Sequence, residues 1–131
     1  MEKTLRSLCW MMGIICTLIG IAHIVIGPEA VPDTGALTAT DDNQNRFFGA
    51  IFAGYGLAWI WAVRQSPIHG NAVRWLAGIM FVGGLSRFFS VAAHGWPHPF
   101  VIGLTVLELV LPPLYFWLVR GVESRPIPVT A

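Results

Sequence analysis

The chain has 131 residues, of which 55% are hydrophobic and 11% charged, whereas a soluble domain carries about 25% charged residues. This composition favours lipid as the main solvent of the folded chain and excludes most soluble fold classes. Eight Lys and Arg residues against seven Asp and Glu residues leave a net charge of +1. No basic surface is therefore available to neutralise a run of phosphates, and we expect no nucleic-acid partner. We expect one membrane domain, residues 1–131.

Four apolar segments are long enough to cross a bilayer, since roughly 20 helical residues cover the ~30 Å hydrocarbon core. They cover residues 8–26, 47–63, 75–93 and 100–119. Lipid offers the backbone no hydrogen-bond partners, so each span must be helical. The predicted fold class is all-α, an integral membrane antiparallel four-helix bundle. Small residues at helical spacing in the second and third spans indicate close helix contacts.

The segment between the first two spans, residues 28–45, is polar and acidic and is predicted to be a loop. Its end supplies residues whose side chains readily accept hydrogen bonds from the free N–H groups of a first helical turn. The candidate N-caps of the second helix are Asp41, Asp42, Asn43 and Asn45.

Basic residues flank the spans unevenly, which predicts the orientation of the chain. One side carries Lys3, Arg6, Arg64, Arg74, Arg120 and Arg125, and the other carries Arg46. We therefore expect both termini to be cytoplasmic, with the first and third loops outside. The aromatic residues expected at the cytoplasmic interface are Trp10, Trp59, Trp61, Trp75, Tyr115 and Trp117, with Trp96 at the outer one. The first apolar run is too long for the core of a signal peptide, so we expect it to stay as a span.

The orientation is directly testable with single cysteines introduced into a cysteine-free background. A cysteine at Gly35 should react with an impermeant thiol reagent added outside, and one at His69 should react only after the membrane is opened. Labelling of position 69 from the outside alone would invert the orientation.

Two charges lie deep within otherwise apolar spans. Arg87 is about seven residues from the outer end of the third span and Glu108 about nine from that of the fourth, or roughly 10 to 14 Å below the outer surface. Buried charges face the bundle interior and pair with one another, so the two are predicted to form an ion pair. Pro112 cannot donate a hydrogen bond to the carbonyl of Glu108, and with Pro113 it predicts a helix kink there.

Three more polar side chains, His23, Arg46 and His94, belong to the outer third of their spans. Together with Arg87 and Glu108 they form a predicted polar cluster drawn from all four helices. One interpretation is an outer vestibule whose members satisfy one another, and the other is a ligand-binding site.

Four motifs show a family resemblance. They are Asn45-Arg46-Phe47-Phe48-Gly49-Ala50, Gly83-Gly84-Leu85-Ser86-Arg87, Gly95-Trp96-Pro97 and Glu108-Leu109-Val110-Leu111-Pro112-Pro113. With these motifs the chain resembles the family called domain of unknown function 4345 over nearly its whole length. The resemblance implies a small bacterial protein with four membrane helices, and hence the bacterial inner (plasma) membrane. It emphasises Arg46, Arg87 and Glu108 and implies no activity.

Three functions are compatible with the sequence. The first is an accessory or interaction subunit of a membrane assembly, because four short spans enclose little volume and no catalytic constellation is visible. The second is a binding or transport module for a small amphiphile, a lipid, quinone or pigment, whose head the Arg and Glu residues address. The third is a b-type haem protein with ligands His23 and His94. We expect no metal or cofactor and no enzyme activity, since HExxH, CxxC, GxSxG and phosphate-loop motifs are missing.

Overall fold

The computed structural model describes residues 1–124, and residues 125–131, among them Arg125, lie outside the described part. The helices are α1 (Glu2–Val25), α2 (Ala39–Arg64), α3 (Gly70–His94) and α4 (Pro99–Glu123), with a short 3-10 helix at Gly27–Ala30. All four α-helices are long and apolar enough to span a membrane. The prediction of an all-α four-helix bundle is confirmed, and each predicted span lies in its own helix, with Ile26 as the C-cap of α1.

The start of α2 differs from the prediction. The helix begins at Ala39, and its N-cap is Thr38, whose Oγ1 accepts a hydrogen bond from the Asp41 N–H at 3.2 Å. The Asp41 carboxylate accepts one from the Thr38 N–H at 3.0 Å, which completes a capping box. The predicted N-caps were therefore wrong, and the end of the predicted loop, residues 39–45, is helical. A Thr followed three residues later by Asp is the signal for this start.

Hairpin A, formed by α1 and α2, is packed backbone against backbone. A Cβ built on Gly20 would lie 2.6 Å from the carbonyl oxygen of Gly49. One built on Gly56 would lie 2.7 Å from the carbonyl oxygen of Gly13 and would also meet the backbone nitrogen of Thr17. No side chain fits between the two helices at these points, so the glycines set the distance between them.

Two arginines cap the helix ends of hairpin A reciprocally. Arg6 of α1 donates to the carbonyl oxygen of Val63 at 2.8 Å, near the end of α2. Arg46 of α2 donates to the carbonyl oxygens of Ile24 and Val25 at 2.6 and 3.2 Å, at the end of α1. The last carbonyls of a helix have no partners within it, so each arginine satisfies groups that would otherwise be left open.

Hairpin B, formed by α3 and α4, is joined by two ion pairs, Arg74–Glu123 and Arg87–Glu108. At the end that also holds the N-terminus and the α2–α3 loop, called the inner end here, Arg74 binds the Glu123 carboxylate with both terminal nitrogens, one of them at 3.1 Å. Further along, a Cβ on Gly84 would lie 3.0 Å from the Cβ of Glu108, so the helices approach closely there.

The two hairpins meet through a core that lies in the inner half of the molecule. Its residues are Leu5, Cys9, Met12, Cys16, Trp59, Ala62, Val63, Val73, Leu76, Ala77, Tyr115, Leu118 and Val119. Tyr115 donates to the carbonyl oxygen of Leu8 at 3.0 Å, and Tyr55 to that of Leu76 at 2.6 Å. Each of these bonds links one hairpin to the other.

Two of the aromatic residues expected toward the cytoplasmic interface lie in this core. Trp59 and Tyr115 are fully buried, and their ring centroids are 4.7 Å apart. Both rings turn into the bundle, where the Tyr115 hydroxyl finds a backbone carbonyl. Their depth relative to the membrane interface remains a prediction.

The core does not extend into the outer half of the molecule. No residue of the core defined above lies beyond Cys16, Trp59, Ala77 and Tyr115 toward the outer end. Within that half, Phe48 of α2 is 62% exposed. The core thus fills the inner end, and the region between the hairpins toward the outer end, where core residues are absent among residues 1–124, is called the interhairpin cleft here.

Candidate functional site

The predicted ion pair between Arg87 and Glu108 is confirmed. The Nε of Arg87 donates to Oε2 of Glu108 at 2.6 Å, and its Nη2 donates to Oε1 at 2.6 Å. Two parallel N–H···O bonds fix the guanidinium in the plane of the carboxylate and are the strong form of this contact. The side chains remain 37% and 24% exposed, respectively. The pair is therefore well formed but only partly covered by the chain itself.

Helical register turns the pair toward the interhairpin cleft. On α3, Arg87 follows the buried Gly84 by three residues and the core-packed Met80 by seven. On α4, Glu108 precedes the buried Pro112 by four residues and Tyr115 by seven. Residues at these spacings share one helix face, so both charged side chains continue the core-facing stripes outward by one turn.

Hairpin A supplies the opposite wall of the cleft. Cys16 of α1 belongs to the core, and Tyr55 of α2 packs against it. Phe52, which packs against the core, and Phe48 lie one and two turns beyond Tyr55 on α2. Helical register therefore places the ion pair on hairpin B and these aromatic side chains on hairpin A, both beyond the core toward the outer end.

The predicted site residues of hairpin A are His23 and Arg46. They bond to residues near them and not to the ion pair. His23 and Asn45 share a hydrogen bond of 2.7 Å between Nδ1 and Oδ1. Arg46 forms an ion pair with Asp42 at 2.9 Å in addition to its bonds to the end of α1. Within residues 1–124, no hydrogen bond or ion pair joins this group to Arg87 or Glu108.

His94 stands apart from both groups. It is the last residue of α3, is exposed, and makes no side-chain hydrogen bond within the part of the chain that the structure describes. Of the five residues predicted to cluster, the structure brings Arg87 and Glu108 together, places His23 beside Arg46 at the outer end of hairpin A, and leaves His94 alone.

Pro112 and Pro113 lie within α4, which is helical from Pro99 to Glu123. Pro112 is buried and has no N–H, so the carbonyl of Glu108 lacks its usual partner in the helix. The residue that carries the half-buried carboxylate therefore also has a backbone carbonyl without its usual helical donor. The predicted kink at this place remains a prediction.

Two site features escaped the sequence analysis. Asn45, expected as an N-cap, is instead the partner of His23, and Asp42 is the partner of Arg46. The spacing of four residues between Asp42 and Arg46 was a usable signal, since such pairs meet on one helix face. The pairing of His23 with Asn45 depends on how closely glycines let α1 approach α2, and no local pattern reveals that distance.

We expect the purified protein to be colourless and free of haem. His23 already shares a hydrogen bond with Asn45, and His94 lies at the end of another hairpin. Among residues 1–124, no group of three or more His, Cys, Asp and Glu side chains is placed to hold a metal ion. Absorption spectra of the detergent-solubilised protein test this, and a bis-histidine haem band that disappears in His23→Ala would contradict it.

Comparison with known proteins identifies the family of the chain. The chain has no detectable similarity to a curated protein or to a solved structure. The profile of one family, described as Domain of unknown function (DUF4345), matches residues 4–119. This range contains α2 and α3 completely, most of α1 and α4, and every residue of the candidate site. The chain therefore belongs to the DUF4345 family.

Proposed function

We propose that the protein binds a small amphiphile of the membrane in the interhairpin cleft, with Arg87 and Glu108 holding its polar head. The observation that carries this proposal is the incomplete cover of the ion pair. Both side chains lie about 10 to 14 Å inside the outer ends of their helices, face the cleft, and are 37% and 24% exposed.

Charges at this depth are expensive when they face hydrocarbon, and membrane proteins place them against polar partners or water-filled cavities. A lipid or similar molecule that enters from the bilayer would cover the pair with its head and fill the cleft with its tail. The aromatic residues Phe48 and Phe52 on α2 suit an apolar tail. We place the cleft toward the outer leaflet of the bacterial plasma membrane, as the distribution of basic residues predicts.

The second candidate function is an interaction subunit of a membrane assembly, which one specific observation favours. A Cβ built on Gly78 or Gly83 of α3, or on Gly103 of α4, would find no atom within 4 Å. Small residues that pack against nothing in their own chain let a helix of another protein approach closely. Helix faces made of small residues also pack against lipid. The ion pair is therefore the stronger evidence, and it favours ligand binding.

The test is native mass spectrometry of the protein released from its own membranes in mild detergent. We expect a stoichiometric small amphiphile on the wild type and its loss from the double variant Arg87→Met/Glu108→Gln. The charge-matched control is Arg74→Met/Glu123→Gln, which removes the other ionic contact between α3 and α4 and should retain the amphiphile.

Two outcomes would overturn the proposal. A bound amphiphile that is equally abundant on the Arg87→Met/Glu108→Gln protein would show that the pair does not hold it. Release of the wild type without any small molecule, but with a protein partner at fixed ratio, would favour the interaction subunit.

A further inference from the structure

We infer that the interhairpin cleft selects an uncharged amphiphile whose head presents carbonyl oxygens, as an ester or a quinone does. This inference rests on the proposed function and specifies the chemistry of the ligand's head. It follows from the unused hydrogen-bonding groups of Arg87 and from the charge of the pair.

Arg87 has more donors than Glu108 uses. A guanidinium carries five N–H groups, and the carboxylate takes one from Nε and one from Nη2. The three that remain, two on Nη1 and one on Nη2, have no other acceptor among residues 1–124. Hydrocarbon offers no hydrogen-bond acceptor to a donor that lies at this depth. The unused N–H groups on Nη1 and Nη2, called the free edge of the guanidinium here, therefore require acceptor oxygens from outside the chain.

The charge of the pair decides which acceptors fit. Arg87 and Glu108 neutralise each other, so an uncharged head leaves the cleft neutral, whereas an anionic or cationic head would leave a net charge at hydrocarbon depth. An isolated charge in a low-dielectric site is far more costly than a polar group that finds its hydrogen bonds. Within residues 1–124, the other arginine of the outer half, Arg46, is already bound to Asp42 and to the end of α1. It is not placed to compensate an added anion.

An ester or quinone carbonyl meets both requirements. Its oxygen accepts hydrogen bonds from the free N–H groups of Arg87 without displacing Glu108. Its chain or ring extends away from the polar floor toward Phe48 and Phe52 on the opposite wall. A hydroxyl head would be a poorer match, because it presents one oxygen and adds a donor to a site that already has a surplus of donors.

The experiment compares probes with one common twelve-carbon tail in nanodiscs of ether-linked phosphatidylcholine, which has no ester carbonyls of its own. The probes are methyl dodecanoate, dodecane-1-sulfonate, dodecyltrimethylammonium and dodecane. Nanodiscs that contain Arg87→Met/Glu108→Gln serve as the blank, so that uptake by the lipid is subtracted. We expect the ester to bind the wild type at least tenfold more tightly than any of the other three, and this excess to vanish in the blank.

Three other results would each contradict a different part of the proposal. Sulfonate binding at least as tight as that of the ester, and lost in the double variant, would overturn the uncharged head while leaving the proposed function intact. Equal binding of dodecane and ester would remove the role of the carbonyl. If no probe distinguishes wild type from variant, and no natural amphiphile is lost from the variant either, the proposed function itself fails.

A second variant keeps the test valid if the double variant does not fold. Arg87→Lys retains the positive charge beside Glu108 but lacks the planar fork and its free edge. We expect it to remain folded, as judged by circular dichroism and gel filtration, and to lose the preference for the ester. An unchanged preference in folded Arg87→Lys would overturn the inference.

Discussion

Replacing Gly56 by alanine is expected to destabilise the protein by about 2 to 3 kcal/mol, because the added methyl group has no space between α1 and α2. Its Cβ would lie 2.7 Å from the carbonyl oxygen of Gly13 and would also meet the backbone nitrogen of Thr17. These are backbone atoms of a helix and cannot turn aside as a flexible side chain can. Hairpin A must therefore separate along its length, which also lengthens the bond between His23 and Asn45.

Gly54 provides the matched control on the same helix. A Cβ there would meet no atom within 4 Å, so Gly54→Ala should be neutral or stabilising by roughly 0.5 kcal/mol through the better helix propensity of alanine. Reversible unfolding in mixed micelles of a mild detergent and SDS measures both variants. Equal effects of the two substitutions would mean that α1 and α2 are not in backbone contact at Gly56.

Structural features that depend on one helix or one short turn could be predicted from the sequence. Arg87 and Glu108 are the lone charges of two spans joined by a tight turn, so their pairing follows from depth and topology. The boundaries around residues 65–69 and 95–98 follow from Pro and Gly. The start of α2 was equally local, but the capping signal at Thr38 was overlooked in favour of the acidic residues that follow it.

Features that depend on packing between hairpins were not predictable in the same way. The depth at which the hairpins separate depends on how side chains from four helices fill the inner half, and Trp59 and Tyr115 fill it only because both turn inward. Arg46 was expected near the buried pair, yet the open carbonyls at the end of α1 are nearer and compete for its donors. Local sequence patterns do not show which of two acceptors is closer.

Arg87→Met and Glu108→Gln are each expected to cost about 3 kcal/mol, because each strands a partner that the membrane interior cannot solvate. The double variant leaves no charge in the cleft and should recover to within about 1 kcal/mol of the wild type. A double-mutant cycle of the free energies of unfolding should therefore give a coupling well above 2 kcal/mol. The fully bonded geometry, with two contacts of 2.6 Å, is the reason to expect a coupling of this size.

The Arg74–Glu123 contact supplies the control cycle, since it joins the same two helices with the same chemical groups. It lies at the inner ends of α3 and α4, where Glu123 is 49% exposed and water can replace a lost partner. Its coupling should stay below about 1 kcal/mol, as for other exposed ion pairs. The difference between the two coupling energies measures how much depth within the helices strengthens an ion pair. Additive losses in the Arg87–Glu108 cycle would show that the two side chains do not interact and would remove the polar head site from the cleft.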